Sequence, residues 1–226
     1  MAVMDVAITV DIIGDVVCPW CYVGLERLRI ARQQRPAHPL RLRWRPFMLN
    51  PGLPARGVPR DVYLASKFGG TAGATRAYQA IAAAGRALDL PFAFDRIRVQ
   101  PQSARAHMLL LDAQAHGQLE PALSALFRAF TVDGQDIGDL RVLRALAERL
   151  GLEDSLALSC DDATCMHHIG AYQSEAQRLG ISGVPVFVFE GRDAISGAQA
   201  PEAIAAMIDL AAGNRAADAV QGRQAS

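Results

Sequence analysis

Cys18-Pro19-Trp20-Cys21 narrows the fold most, because it sets two thiols one helical turn apart directly after an apolar strand. Residues Ile8 to Ile13 read as that strand, and Leu25, Leu28 and Ala31 continue past the motif at helical spacing. Cysteines at i and i+3 of a helix start bring their Cα atoms within disulfide range. The first sulfur also meets unpaired backbone N–H groups and the positive end of the helix dipole, both of which favour a thiolate. Strand, C-x-x-C and helix in that order point to a redox site. The same spacing also suits zinc, which would need two further ligands nearby.

Arg41–Phe47 reads as a second strand, so the motif helix, from Cys18 to near Arg35, joins two strands. Pro51, Pro54, Gly57 and Pro59 then mark a long break. From Asp61 to Leu179 the pattern is helical almost throughout. It predicts helices over Thr71–Leu90, from near Ser103 to Gly117, around Leu123, Leu126, Phe127 and Phe130, between Asp139 as N-cap and Gly151 as C′ residue, and up to Leu179-Gly180. Strand character returns at Val184–Phe189 and Ala194–Ser196. Pro201 opens a closing helix whose buried stripe is Ile204, Met207, Ile208 and Ala211. The expected class is α/β. A β-α-β unit and a β-β-α unit, residues 5–50 and 181–213, enclose an inserted α-helical domain over 51–180, with a flexible tail over 214–226. An insertion of that length cannot be a loop.

Gly183-Val184-Pro185 opens the third strand. Proline donates nothing to a ladder, so at the head of a buried strand it needs a reason. One reason is a cis bond facing the two cysteines, which leaves the preceding backbone free to pair with a substrate segment. The plainer one is a trans proline that merely starts the strand. Beside Cys18 and Cys21 the cis form is expected.

These residues carry a family resemblance. Asp15-Val16-Val17-Cys18-Pro19-Trp20-Cys21-Tyr22-Val23-Gly24, Arg45-Pro46-Phe47 with Leu49-Asn50-Pro51, and Ile181-Ser182-Gly183-Val184-Pro185 are similar to the FrnE-type branch of the DsbA family. Ala106-His107 and Leu126-Phe127-Arg128-Ala129-Phe130 resemble it too, so the match runs from about residue 8 to 212. The resemblance implies a thioredoxin fold with an inserted helical domain and thiol–disulfide oxidoreductase activity on disulfide or thiol protein substrates, or with glutathione as co-substrate. Beyond the redox-active disulfide it implies no cofactor. Related 2-hydroxychromene-2-carboxylate isomerases and kappa-class glutathione transferases carry serine where Cys18 stands, and this chain departs from them there. It also has Trp20 where strongly oxidising DsbA proteins have histidine. Losing that cation removes one source of thiolate stabilisation and implies a milder exchanger.

In this reading Cys18 is the exposed attacking sulfur and Cys21 the resolving thiol, with Trp20, Val184 and Pro185 at the substrate. Asp15 and Asp11 are candidate proton acceptors for Cys21. Asp15 also suits helix capping, and Asp11 a solvent-facing place. Cys160 and Cys165 are open to three readings: ordinary buried cysteines, a second redox pair, or metal ligands with His167 and His168. Within one helix they would lie about 140° and ~8 Å apart, too far for a bond. A cap at Asp161 or Asp162 would free Cys160 to reach Cys165. His107 reads as core or catalytic, and Tyr22 and Phe47 as groove or core.

With 23 basic and 23 acidic residues nothing favours a nucleic-acid or anionic-membrane partner. The first twenty residues hold Asp5, Asp11 and Asp15 and no lysine or arginine, unlike a secretory signal. No apolar run approaches the ~18 residues of a membrane span. A cytoplasmic setting is expected, where a C-x-x-C works by catalysis or metal binding. The alternative function is a glutathione-dependent isomerase or transferase acting on an aromatic or polyketide-like small molecule.

Overall fold

The structure, a computed structural model, describes residues 7–224, without the side chains of Thr71 and 218–224. Asp5 and the last two residues of the expected tail lie outside it. Strand β1 (Ile8–Gly14) leads into α1 (Pro19–Gln33) and β2 (Leu40–Pro46). A two-residue ladder of β3 (Val58–Pro59) with β4 (Val99–Gln100) brackets α2 (Arg60–Phe68) and α3 (Thr71–Arg86). Helices α4 (Ala104–Ala115), α5 (Leu119–Thr131), α6 (Leu140–Leu150), α7 (Leu156–Ser159) and α8 (Asp162–Arg178) follow. The chain closes with β5 (Val186–Phe189), β6 (Asp193–Ser196) and α9 (Pro201–Gln224).

The main sheet runs β2-β1-β5-β6, with β1 parallel to β2 and antiparallel to β5, and β5 antiparallel to β6. That is the expected β-α-β plus β-β-α order with a helical insertion. Alternation along β1 sorts its side chains between the two faces. Ile8, Val10 and Ile12 join one large cluster with Leu28 of α1 and Ile204 and Ile208 of α9. Ile13 packs with Phe47, Val186 and Ala176 of α8 in a smaller cluster. The large cluster continues through Leu109, Leu126, Leu143 and Ile169, so the inserted helices and the sheet share one core.

Local chemistry explains several helix ends. The Asp139 carboxylate accepts from the Arg141 N–H at 2.8 Å, and Gly151 ends α6 at φ 67°, both as the sequence predicts. The tail is different. Helix α9 runs past Asn214 to Gln224, because Asn214 donates to the Asp193 carboxylate at 2.9 Å and Arg215 lies 4.0 Å from Glu190. The β3–β4 ladder escaped the sequence reading, since two residues carry no alternation to read.

Candidate active site

Cys18 is the N-cap of α1, and its N–H donates to the Asp15 carbonyl while its own carbonyl accepts from the Cys21 N–H, both at 3.0 Å. Pro19 occupies the first turn, where its missing N–H leaves nothing unpaired. The two cysteines are unbridged and 3.7 Å apart. The S–H of Cys21, donating to the Cys18 sulfur, holds the Cys18 thiol below its ordinary value against the opposing pull of burial. Burial, helped by that shared hydrogen bond, pushes Cys21 well up. The pair is thus already divided into a ready sulfur and a reluctant one.

Cys18 is not the exposed sulfur that the sequence suggests. It is 6% exposed against 2% for Cys21, because the Val184–Pro185 segment closes over it. The Val184 carbonyl accepts from the Cys18 thiol at 3.9 Å, and the Val184–Pro185 peptide is cis. Gly24 permits this approach: a Cβ there would stand 3.0 Å from Pro185 Cγ and 3.1 Å from the Phe187 ring. Trp20, half-buried, packs on the same core. Motif, Val184 and Pro185 therefore meet at one place.

Beneath Cys21 lies a polar network that joins Asp15, a sequence candidate for its proton acceptor, to His107 and Trp44. Asp15 is fully buried and does not cap the helix. Its carboxylate accepts from the backbone N–H groups of Leu49 at 2.8 Å and Val17 at 3.3 Å. His107, also fully buried, accepts at Nδ1 from the Trp44 indole at 3.0 Å. Its Nε2 must then carry the proton in the neutral ring. That atom lies 3.3 Å from Asp15 Oδ1, at an angle too poor for a hydrogen bond. Trp44 itself presses into the space of a Gly14 Cβ, 2.6 Å from its ring and 3.4 Å from Cys21 Sγ. The sequence signals for this network are Asp15 and Ala106-His107, and Trp44 carries none.

Asp11 takes no part in it. It lies on the other face of β1 from Gly14, paired with Arg43 at 2.6 Å and Arg45 at 3.3 Å, buried rather than facing solvent and unable to serve Cys21. Tyr22 stacks on Phe127 at 4.9 Å and Phe47 fills the smaller cluster, so both are core. Cys160 and Cys165 are joined in a disulfide with Cα atoms 6.4 Å apart. Asp161 caps α8 by accepting from Thr164 N–H at 2.7 Å, which leaves Cys160 outside the helix and free to turn back. With both sulfurs in that bond, neither is available to a metal with His167 and His168. Among the described residues, no group of three or more histidine, cysteine or carboxylate side chains gathers in metal-binding geometry.

A family profile described as a DSBA-like thioredoxin domain matches residues 9–209. Among solved structures, a probable DsbA oxidoreductase from Streptomyces coelicolor is 31% identical, with a TM-score of 0.80 over 91% of this chain and 90% of that one. The cytosolic disulfide reductase DsbM from Pseudomonas aeruginosa, solved with GSH, is 23% identical, with a TM-score of 0.61 over 89% and 98%. A 2-hydroxychromene-2-carboxylate isomerase is 16% identical, with a TM-score of 0.64 over 94% and 98%. The last two are likenesses of fold. No curated protein sequence matches the chain.

Proposed function

The chain belongs to the DSBA-like thioredoxin domain family, and from that premise we propose that it is a thiol–disulfide oxidoreductase working through Cys18 and Cys21. The observation that carries this is the divided pair at the start of α1, with one thiol held down and the other pushed up. In the reducing direction the Cys18 thiolate attacks one sulfur of a substrate disulfide, and the other substrate sulfur leaves as thiolate. Cys21 then gives up its proton and attacks Cys18 Sγ. The second substrate thiolate leaves, and Cys18 and Cys21 end as a disulfide. Asp15, the buried carboxylate whose charge reaches Cys21, is the candidate acceptor for that proton. The segment at Val184 and Pro185, with Trp20, would hold the substrate beside Cys18. Two molecules of a thiol such as glutathione, one opening the bond to a mixed disulfide and the second releasing it as their own disulfide, would return the pair to its reduced form.

Both protein disulfides and small disulfides fit this scheme. A cytosolic setting is in keeping with DsbM, and no helix among the described residues is long and apolar enough to cross a membrane. The Cys160–Cys165 bridge, 6.4 Å between Cα atoms, makes a second exchanging pair part of this reading. A glutathione-dependent isomerase is the second reading, favoured by the fold likeness to the 2-hydroxychromene-2-carboxylate isomerase. Insulin reduction by dithiothreitol tests the main reading. Acceleration by the protein that Cys18→Ser abolishes is expected. No acceleration, with glutathione-dependent turnover that survives Cys21→Ser, would favour the isomerase class. Disulfide mapping by mass should find Cys160–Cys165 bridged under oxidising conditions and opened by reduced Cys18–Cys21. A bridge untouched by the reduced motif would remove the second pair.

A further inference from the structure

His107 and Asp15 are both fully buried. One oxygen of Asp15, Oδ2, accepts the short bond from Leu49 N–H at 2.8 Å. The other, Oδ1, has the longer contact with Val17 N–H at 3.3 Å. His107 Nε2 stands 3.3 Å from that same oxygen and is buried without a hydrogen-bond partner. Where its proton sits is settled on the other side of the ring. An indole N–H can only donate, so Trp44 makes Nδ1 the acceptor and leaves the proton of the neutral ring on Nε2. Helix α4 grips Trp44 a second time about two turns on, where Gln114 Oε1 accepts from the Trp44 backbone N–H. Packing of α4 against β2 thus sets ring, proton and carboxylate towards one another.

A donor buried without a partner is costly, and turning it onto a carboxylate oxygen makes a charge-assisted bond. Contacts left long in a resting site tighten as the reaction proceeds. We propose that His107 is a positioning residue of the resolving step, its Nε2–H closing onto Asp15 Oδ1 to hold the carboxylate in place for the Cys21 proton. The proposal rests on the dithiol reading and adds to it what keeps the proton acceptor in position. In that step the Cys21 thiol proton passes to Asp15, and the Cys21 sulfur forms its bond to Cys18 Sγ. The bond from Cys18 to the substrate sulfur breaks, and its electron pair leaves with the substrate as thiolate. His107 keeps its own proton throughout. With Nδ1 occupied by Trp44 and Nε2 protonated, it has no free lone pair to take the Cys21 proton itself.

Acid quenching of the reduced protein during reaction with 2-hydroxyethyl disulfide, followed by mass spectrometry, separates the two steps. Mixed disulfide at Cys18 reports attack, and the closed Cys18–Cys21 bond reports resolution. His107→Leu should leave attack in place and slow resolution about tenfold, the size of one charge-assisted hydrogen bond, so that mixed disulfide accumulates. His107→Gln should restore the rate. In an Asp15→Asn background His107→Leu should slow resolution no further, an outcome that a merely structural role would not produce. Resolution unchanged in His107→Leu, no rescue by His107→Gln, or the same slowing with and without Asp15 would overturn the proposal. If His107→Leu does not fold, nitrogen NMR of the native His107 ring at neutral pH decides. A proton on Nε2 whose signal moves in Asp15→Asn is expected, and a proton on Nδ1 or an unmoved signal would overturn the contact. Failure to form any mixed disulfide would count against the dithiol reading, and the NMR result would still decide on His107.

Discussion

At Cys18 and Cys21 one shared hydrogen bond and a small difference in depth separate two chemically equal side chains. Cys21→Ala removes the donor, so the Cys18 thiol should rise towards its ordinary value and less of it should be thiolate at neutral pH. Alkylation of Cys18 by iodoacetamide should then slow at neutral pH, and its pH midpoint should move up. An unmoved profile would mean that the start of α1 alone sets this thiol. His107 offers a second test at this scale. His107→Leu strands the buried Trp44 indole N–H and should cost ~1–3 kcal/mol in urea unfolding. His107→Gln, able both to accept from Trp44 and to donate towards Asp15, should recover most of that. The contrast with the sequence reading is instructive here. Cys18, Pro19 and Cys21 were legible because their chemistry is local to one turn. For Asp15 the sequence offers both a proton acceptor for Cys21 and a helix cap, because Leu49, whose N–H it accepts, and His107, its neighbour at 3.3 Å, come from distant stretches of chain.

Among elements, close contact between α1 and the segment entering β5 decides how far Cys18 is covered. Gly24→Ala would drive a Cβ to 3.0 Å from Pro185 and 3.1 Å from Phe187. Overpacking of this kind costs on the order of 1–3 kcal/mol. Insulin turnover should fall together with the melting temperature, while Cys18 becomes more accessible to alkylation. A variant with normal turnover would show that the tight approach serves packing alone. Helix ends give a smaller and cleaner case. Asp139→Ala should lower stability by ~1 kcal/mol through loss of the Arg141 N–H bond, without effect on the dithiol. Such caps are readable from sequence because donor and acceptor are two residues apart. The course of α9 beyond Asn214 was not, because its support comes from Asp193 and Glu190 across the β5–β6 hairpin.

For the whole molecule, one apolar cluster joins β1, α1 and α9 to α4, α5, α6 and α8. The order of elements could be drawn from hydrophobic periodicity, but not this sharing of a core, because periodicity marks a buried face without naming what it meets. The shared core predicts that sheet and inserted helices unfold together. Far-ultraviolet ellipticity, dominated by helices, and hydrogen exchange of the β1 amides should report the same denaturation midpoint. Two separated transitions would show that the insertion stands alone. The crowding at Gly14 has an optical consequence as well. The chain has two tryptophans: Trp20 lies between the cysteines, and Trp44 presses on the same spot as Cys21 Sγ. Both indoles therefore share their surroundings with the redox sulfurs, so closing or opening the Cys18–Cys21 bond should change the protein's own emission. Its oxidation state could be followed in real time with no added dye.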